Sequence, residues 1–113
     1  MMRLKSQGLL ALGLLSGVVL LSGGVAHARD PIAGKARAAM CITCHGPLGL
    51  SQMPNAPHLA GQPAIYLVEQ LKNFRSGKRQ NEIMSVIAKP LTDAEIDDLA
   101  AWYASIQISV TEK

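Results

Sequence analysis

After residue 28 the chain sets short helical patterns around one long stretch that has none. Asp30-Pro31 reads as an N-cap followed by proline at the first helical position, so the Ala-rich run from Ile32 to Met40 predicts a short helix. Between Gly46 and Gln62 the chain is rich in Gly, Pro, Ser and Asn, which predicts an irregular loop. A loop that long suits a compact domain only if it wraps something. The apolar positions Ile65, Val68, Leu71 and Phe74 then predict one face of a helix over residues 64–76, ended by Gly77. A brief helical turn is expected at residues 83–88, closed by Pro90. The last segment carries the clearest pattern. Thr92 and Glu95 form a capping box, and Leu91 and Ile96 stand at the two positions of a hydrophobic staple. Ile96, Leu99, Tyr103 and Ile106 line one side of the helix that follows, with Trp102 beside them. No segment alternates with the period of a strand, and the expected fold is all-α.

The first 28 residues have a different character. Arg3 and Lys5 precede an uncharged apolar run from Leu9 to Leu21, and the small-x-small pattern at Ala26-His27-Ala28 follows. This is the layout of a cleavable signal peptide, residues 1–28, leaving a domain of residues 29–113. The alternative, an uncleaved anchor helix, has an apolar run short of the ~20 residues that a bilayer span needs, interrupted by Gly13 and Gly17. No cysteine follows the run, which argues against a lipid anchor there. Of the 11 Lys and Arg in the full chain, which has a net charge of +3, Arg3 and Lys5 belong to this segment. The rest of the chain is close to neutral, so the basic balance gives no reason to invoke nucleic acid.

A domain of this size buries only about 60–65% of its unfolded surface and is marginal alone. One Phe, one Trp and two Tyr are few aromatics with which to fill a core. Cys41-Ile42-Thr43-Cys44-His45 suggests what fills it. Cys-x-x-Cys-His is the attachment signature of c-type haem. Two thiols at this spacing add across the two vinyl groups, and the adjacent His45 can place its imidazole on the iron. A disulfide, a redox dithiol and half a zinc site are the alternatives. The dithiol lacks the βαβ pattern around it, and zinc lacks the four ligands it needs.

A sixth iron ligand needs its own argument. Met40, Met53, Met84 and His58 are the candidates after residue 28. Met40 stands beside Cys41 in the attachment turn, and Met53 and His58 follow His45 in the loop, which keeps them on the proximal half. Met84 comes 39 residues after His45, beyond a full helix, with enough chain to cross to the distal face. Histidine on one side and a thioether on the other let iron cycle between two oxidation states without losing a ligand.

From Gly34 to Ser105 the chain resembles a class I cytochrome c, most closely one half of a dihaem cytochrome of the c4 type, and is also similar to small c553-type proteins. The resemblance is carried by Cys41 to Gly46, Pro57-His58-Leu59-Ala60-Gly61-Gln62, Tyr66 to Leu71, Arg75 to Arg79, Ile83-Met84, Leu91-Thr92-Asp93 and Asp98 to Ser105. It implies a small single-domain fold wrapped around one haem attached through Cys41 and Cys44, with His45 and Met84 as iron ligands. It also implies that the Pro57 carbonyl accepts a hydrogen bond from the other nitrogen of the His45 ring, which fixes the ring and raises its basicity. Gly34 matches the small residue where the first and last helices cross, opposite Trp102 or Tyr103. Two departures stand out: the c4 type has two haem domains against one here, and the position of His58 is usually lysine there. The single domain raises pairing with itself or with another haem protein.

Lys72, Arg75, Lys78 and Arg79 cluster before the distal segment, while Asp93, Glu95, Asp97 and Asp98 open the last helix. The acidic set suits a helix N-terminus. The basic set either surrounds the haem edge and steers an acidic partner or is a solvated face. The reading that follows is a periplasmic single-electron carrier with one haem c, not an enzyme, passing electrons from a donor to an acceptor redox protein. No transmembrane segment remains after cleavage of the signal. The alternatives are a tightly bound haem subunit of a periplasmic dehydrogenase or oxidase, and, further off, an open-site haem peroxidase or gas sensor.

Overall fold

The computed structural model describes residues 29–112, and the expected signal peptide lies outside them. Five α-helices account for the regular structure, and no strand occurs among the described residues. They are α1 (Pro31–Arg37), α2 (Ile42–His45), α3 (Ala64–Ser76), α4 (Met84–Ala88) and α5 (Asp93–Ser105), with a 3₁₀ turn (Ala38–Met40) between α1 and α2. The all-α expectation holds. None of these helices is long and apolar enough to cross a membrane.

Local chemistry sets the boundaries. Asp30 Oδ1 accepts from the Ile32 backbone N–H at 2.8 Å and Pro31 occupies the first turn, which starts α1. Thr92 Oγ1 accepts from the Glu95 N–H at 3.2 Å while Glu95 accepts from the Thr92 N–H at 3.0 Å, so the capping box is complete at α5. Leu91 and Ile96 are both buried in the core beneath it.

The helices at the two ends of the domain, α1 and α5, pack on each other, and α3 packs on α5 and on α4. Gly34 sits in the α1–α5 crossing. A Cβ there would stand 1.9 Å from the Asp98 carbonyl oxygen and 2.9 Å from Trp102 Cβ, so only glycine lets the backbones approach this closely. The contact is to Asp98 and Trp102; Tyr103 points elsewhere, as described below. Charge reinforces the crossing. Asp98 Oδ1 accepts from the Asp30 N–H at 2.8 Å, and Arg37 pairs with Glu95. On the other side of α5, Arg75 donates to Asp93 at 2.6 Å and to the Leu91 carbonyl at 2.8 Å, with Lys72 3.4 Å from the same carboxylate.

One expectation changes. Ile65 does not face the core: it is 77% exposed, and the buried side of α3 runs through Leu67 and Phe74 with Leu71 between them. The threefold spacing is close to two solutions, and burial chose the one that starts at Leu67. The basic cluster also divides, since Lys72 and Arg75 are engaged by Asp93 and tie α3 to α5.

Gly34→Ala should lower stability by about 1–3 kcal/mol, because the added methyl meets backbone that cannot rotate away. In a domain this small each kcal/mol moves the thermal midpoint by about 4–8 °C. An unchanged midpoint would show that the crossing is looser than its geometry. Thr92→Ala should cost about 1 kcal/mol by orphaning one N–H of α5, and chemical denaturation of the two proteins side by side measures it.

Candidate cofactor site

The core is not closed. Leu67, Phe74, Leu91, Leu99 and Tyr103 belong to it, and the same residues line a cavity of about 340 Å³. That is the size of a cofactor pocket. α2 and its N-cap residue bring Cys44, His45 and Cys41 to this cavity, α4 brings Met84, and the loop between α2 and α3 brings Met53, Pro57 and His58. None of the residues that line it is acidic, and Arg79, Gln70 and Asn81 are among its polar members, with Arg79 donating to Gln70 Oε1 at 2.8 Å.

His45 is 6% exposed, and its Nδ1 lies 2.8 Å from the Pro57 carbonyl oxygen. With the proton on Nδ1 the ring donates to that carbonyl, and Nε2 keeps its lone pair for a metal. The loop holds itself in place around this contact. Ser51 Oγ donates to the Cys44 carbonyl at 2.9 Å and accepts from the Met53 N–H at 3.0 Å, while the Ser51 N–H donates to His58 Nδ1 at 2.8 Å. His58 is exposed and spends one ring nitrogen on the loop.

Cys41 and Cys44 are free thiols, both partly buried, and do not pair with each other. Burial pushes the Cys41 thiol up, and the Tyr103 hydroxyl beside it pulls the other way. Tyr103 is 3% exposed, and burial raises its phenol well above the usual range, with Cys41 adding to the effect. Met84 is partly buried at the first position of α4. Its backbone N–H donates to Asn81 Oδ1 at 2.9 Å, and the Ile83 N–H does the same at 3.0 Å, so Asn81 fixes where α4 begins. Met40 and Met53 reach the cavity too, each about two-fifths exposed. Sequence reasoning did not find the roles of Ser51 and Asn81. An Asn placed two or three residues before a short helix is a usable signal for the second.

The donor set fits a haem. It combines two thiols three residues apart, an oriented imidazole, a thioether and a largely apolar lining. Among the described residues no group of three or more His, Cys, Asp or Glu could hold a metal ion.

Comparison with known proteins agrees. The chain is 52% identical over 77 residues to the cytochrome c4 of Thiocapsa roseopersicina, an alignment that covers 67% of this chain and 40% of that protein. It is 46% identical over 74 residues to the thiosulfate dehydrogenase electron acceptor of Thiomonas intermedia, covering 64% of this chain and 34% of that one. With cytochrome c-554(548) of Halomonas halodenitrificans it shares 38% over 81 residues, covering 69% of this chain and 98% of the relative. The crystal structure of reduced cytochrome c4 from Pseudomonas stutzeri superposes with a TM-score of 0.68 at 37% identity, over 74% of this chain and 48% of that one. The chain thus spans about half the length of the c4 relatives and nearly the whole of the c-554(548) protein. Residues 32–107 match the sequence model of the family described as cytochrome c. With that match on top of the Cys41-x-x-Cys44-His45 cavity, the chain belongs to the cytochrome c family, in its c4 subfamily, and carries covalently attached haem c.

Proposed function

We propose that this chain is a single-electron carrier whose one haem is attached through Cys41 and Cys44 and ligated by His45 and Met84. The observation that carries the proposal is that one apolar cavity gathers both thiols, an imidazole already oriented by Pro57, and a thioether on a separately fixed helix. Haem, when bound, supplies one-electron chemistry at its iron. The residues here do the rest. Pro57 holds the His45 ring and makes it a stronger donor. Leu67, Phe74, Leu91 and Leu99 keep water from the group, which sets the local dielectric and hence the potential. Asn81 holds the first turn of α4, so Met84 is presented at a constant height. A coordinated thioether leaves no open iron position, which separates a carrier from a peroxidase or gas sensor.

Residues 1–28 have the layout of an export signal, which supports a periplasmic carrier with one redox protein as donor and another as acceptor. The Thiomonas relative favours one second reading, in which the chain stays bound to a dehydrogenase as its haem subunit. Native purification separates the two: recovery alone supports a shuttle, and co-elution with a catalytic chain supports the subunit.

Cys41→Ser and Cys44→Ser should each weaken covalent haem retention, and the double variant should lose it entirely on a denaturing gel stained for haem. Haem surviving on that gel in the double variant would overturn the attachment.

Met84→Ala should abolish the near-infrared sulfur-to-iron charge-transfer band of the ferric protein and lower the reduction potential. It should also take carbon monoxide binding from negligible to stoichiometric. Met53→Ala and His58→Ala should change none of these. Persistence of the band in Met84→Ala would move the ligand to Met53 or Met40.

A further inference from the structure

Among the described residues one buried side-chain polar atom has no hydrogen-bond partner, the Tyr103 hydroxyl. Such a group is costly to leave unmade and calls for an explanation. It cannot turn to water. The residue is 3% exposed, its backbone carbonyl accepts from the Gly61 N–H at 2.9 Å, and its ring lies against the Gly49 backbone, where an added Cβ would stand 2.8 Å from Cδ1. The hydroxyl is therefore held at the cofactor cavity, which Cys41 also lines while packing against the core cluster that contains Tyr103.

The chemistry of the Cys41 sulfur changes on attachment. When the thiol adds across a vinyl group, a carbon–sulfur bond forms at one vinyl carbon and the thiol hydrogen ends on the other. A thiol can give or take a hydrogen bond, whereas a thioether can only accept one. Before attachment the phenol and thiol face each other with two protons and no fixed direction; afterwards one donor meets one acceptor. We propose that in the haem-loaded protein the Tyr103 hydroxyl donates a hydrogen bond to the Cys41 thioether sulfur. Tyr103 is then a positioning residue: it fixes the Cys41 edge of the haem and draws electron density from it, which favours the reduced state. The inference rests on attachment at Cys41, as set out under the proposed function.

Resonance Raman spectroscopy of the haem-loaded protein tests it, because each thioether contributes a carbon–sulfur stretch. Tyr103→Phe keeps the ring and removes only the hydroxyl. One of the two stretches should shift, the other serving as internal reference, and the reduction potential should fall while the sulfur-to-iron charge-transfer band stays in place. In wild-type protein, exchange into deuterated buffer should shift the same stretch, which keeps the test decisive if the variant fails to fold. Stretches that do not respond to either change would overturn the proposal, even if the potential moved, since the hydroxyl would then act on another group. Absence of any carbon–sulfur stretch would instead overturn the attachment.

Discussion

Everything in this domain is arranged around a core that cannot close on itself. Ile96 and Leu99 are the large side chains of the core sealed almost completely, and Leu99 still lines the cavity together with Leu67, Phe74, Leu91, Ala100 and Tyr103. Burial of apolar surface is the main favourable term in folding, and a chain with so few aromatics leaves that term small. The haem supplies the missing apolar bulk, and the thioethers make it part of the chain. Folding and cofactor binding are thus one problem: the residues that wall the iron off from water are those that hold α3 and α5 together.

The second constraint is the α1–α5 crossing, whose contact residues Gly34, Asp98 and Trp102 do not line the cavity. Gly34 lets the helices meet at backbone distance, and Asp98 and Glu95 reach across to the Asp30 N–H and to Arg37. The acidic opening of α5 therefore does more than complement a helix dipole. All four of its carboxylates reach other parts of the chain, since Asp93 holds α3 through Arg75 and Asp97 lies 3.9 Å from Arg29. Such exposed pairs are individually weak, but here they fix the orientation of helices whose packing glycine already permits. Closing the two ends of the domain sets the distance between the segment with the thiols and the helix that faces them.

How much of this was legible in the sequence depended on the range of the interaction. Caps, proline and the attachment motif act within a few residues, so the starts of α1 and α5 and the haem signature could be read directly. The buried face of α3 could not, because Ile65, Val68, Leu71 and Phe74 and the set through Leu67, Leu71 and Phe74 are nearly equivalent by spacing, and only the position of α5 decides between them. How the basic cluster divides was hidden for a similar reason. Its members are neighbours in sequence, yet Lys72 and Arg75 turn to Asp93 while Arg79 lies over the Phe74 ring at 4.6 Å. The Pro57 carbonyl was suggested by resemblance alone, since nothing in a proline's side chain reveals which donor its carbonyl will meet. The Tyr103 hydroxyl was hidden by its residue type: an aromatic on the inner face of a helix reads as packing until its polar end is found unpartnered.

The two halves of the proposed iron site are supported unequally, and this follows from their place in the chain. His45 is held from three directions: by the short helix that contains it, by Pro57, and by Ser51 through the neighbouring Cys44 carbonyl. Its position is set before any metal arrives. Met84 stands on a five-residue helix whose one buried residue is Ala88 and whose start depends on Asn81. A helix that short has little stability of its own, and regions with few buried contacts open first. In the proposed site the proximal side would act as the fixed reference, and the distal side would be held in good part by the bond to Met84. An electron carrier tolerates such an arrangement because neither ligand has to leave during turnover, and under that ligation the strength of the thioether bond would feed directly into the stability of α4.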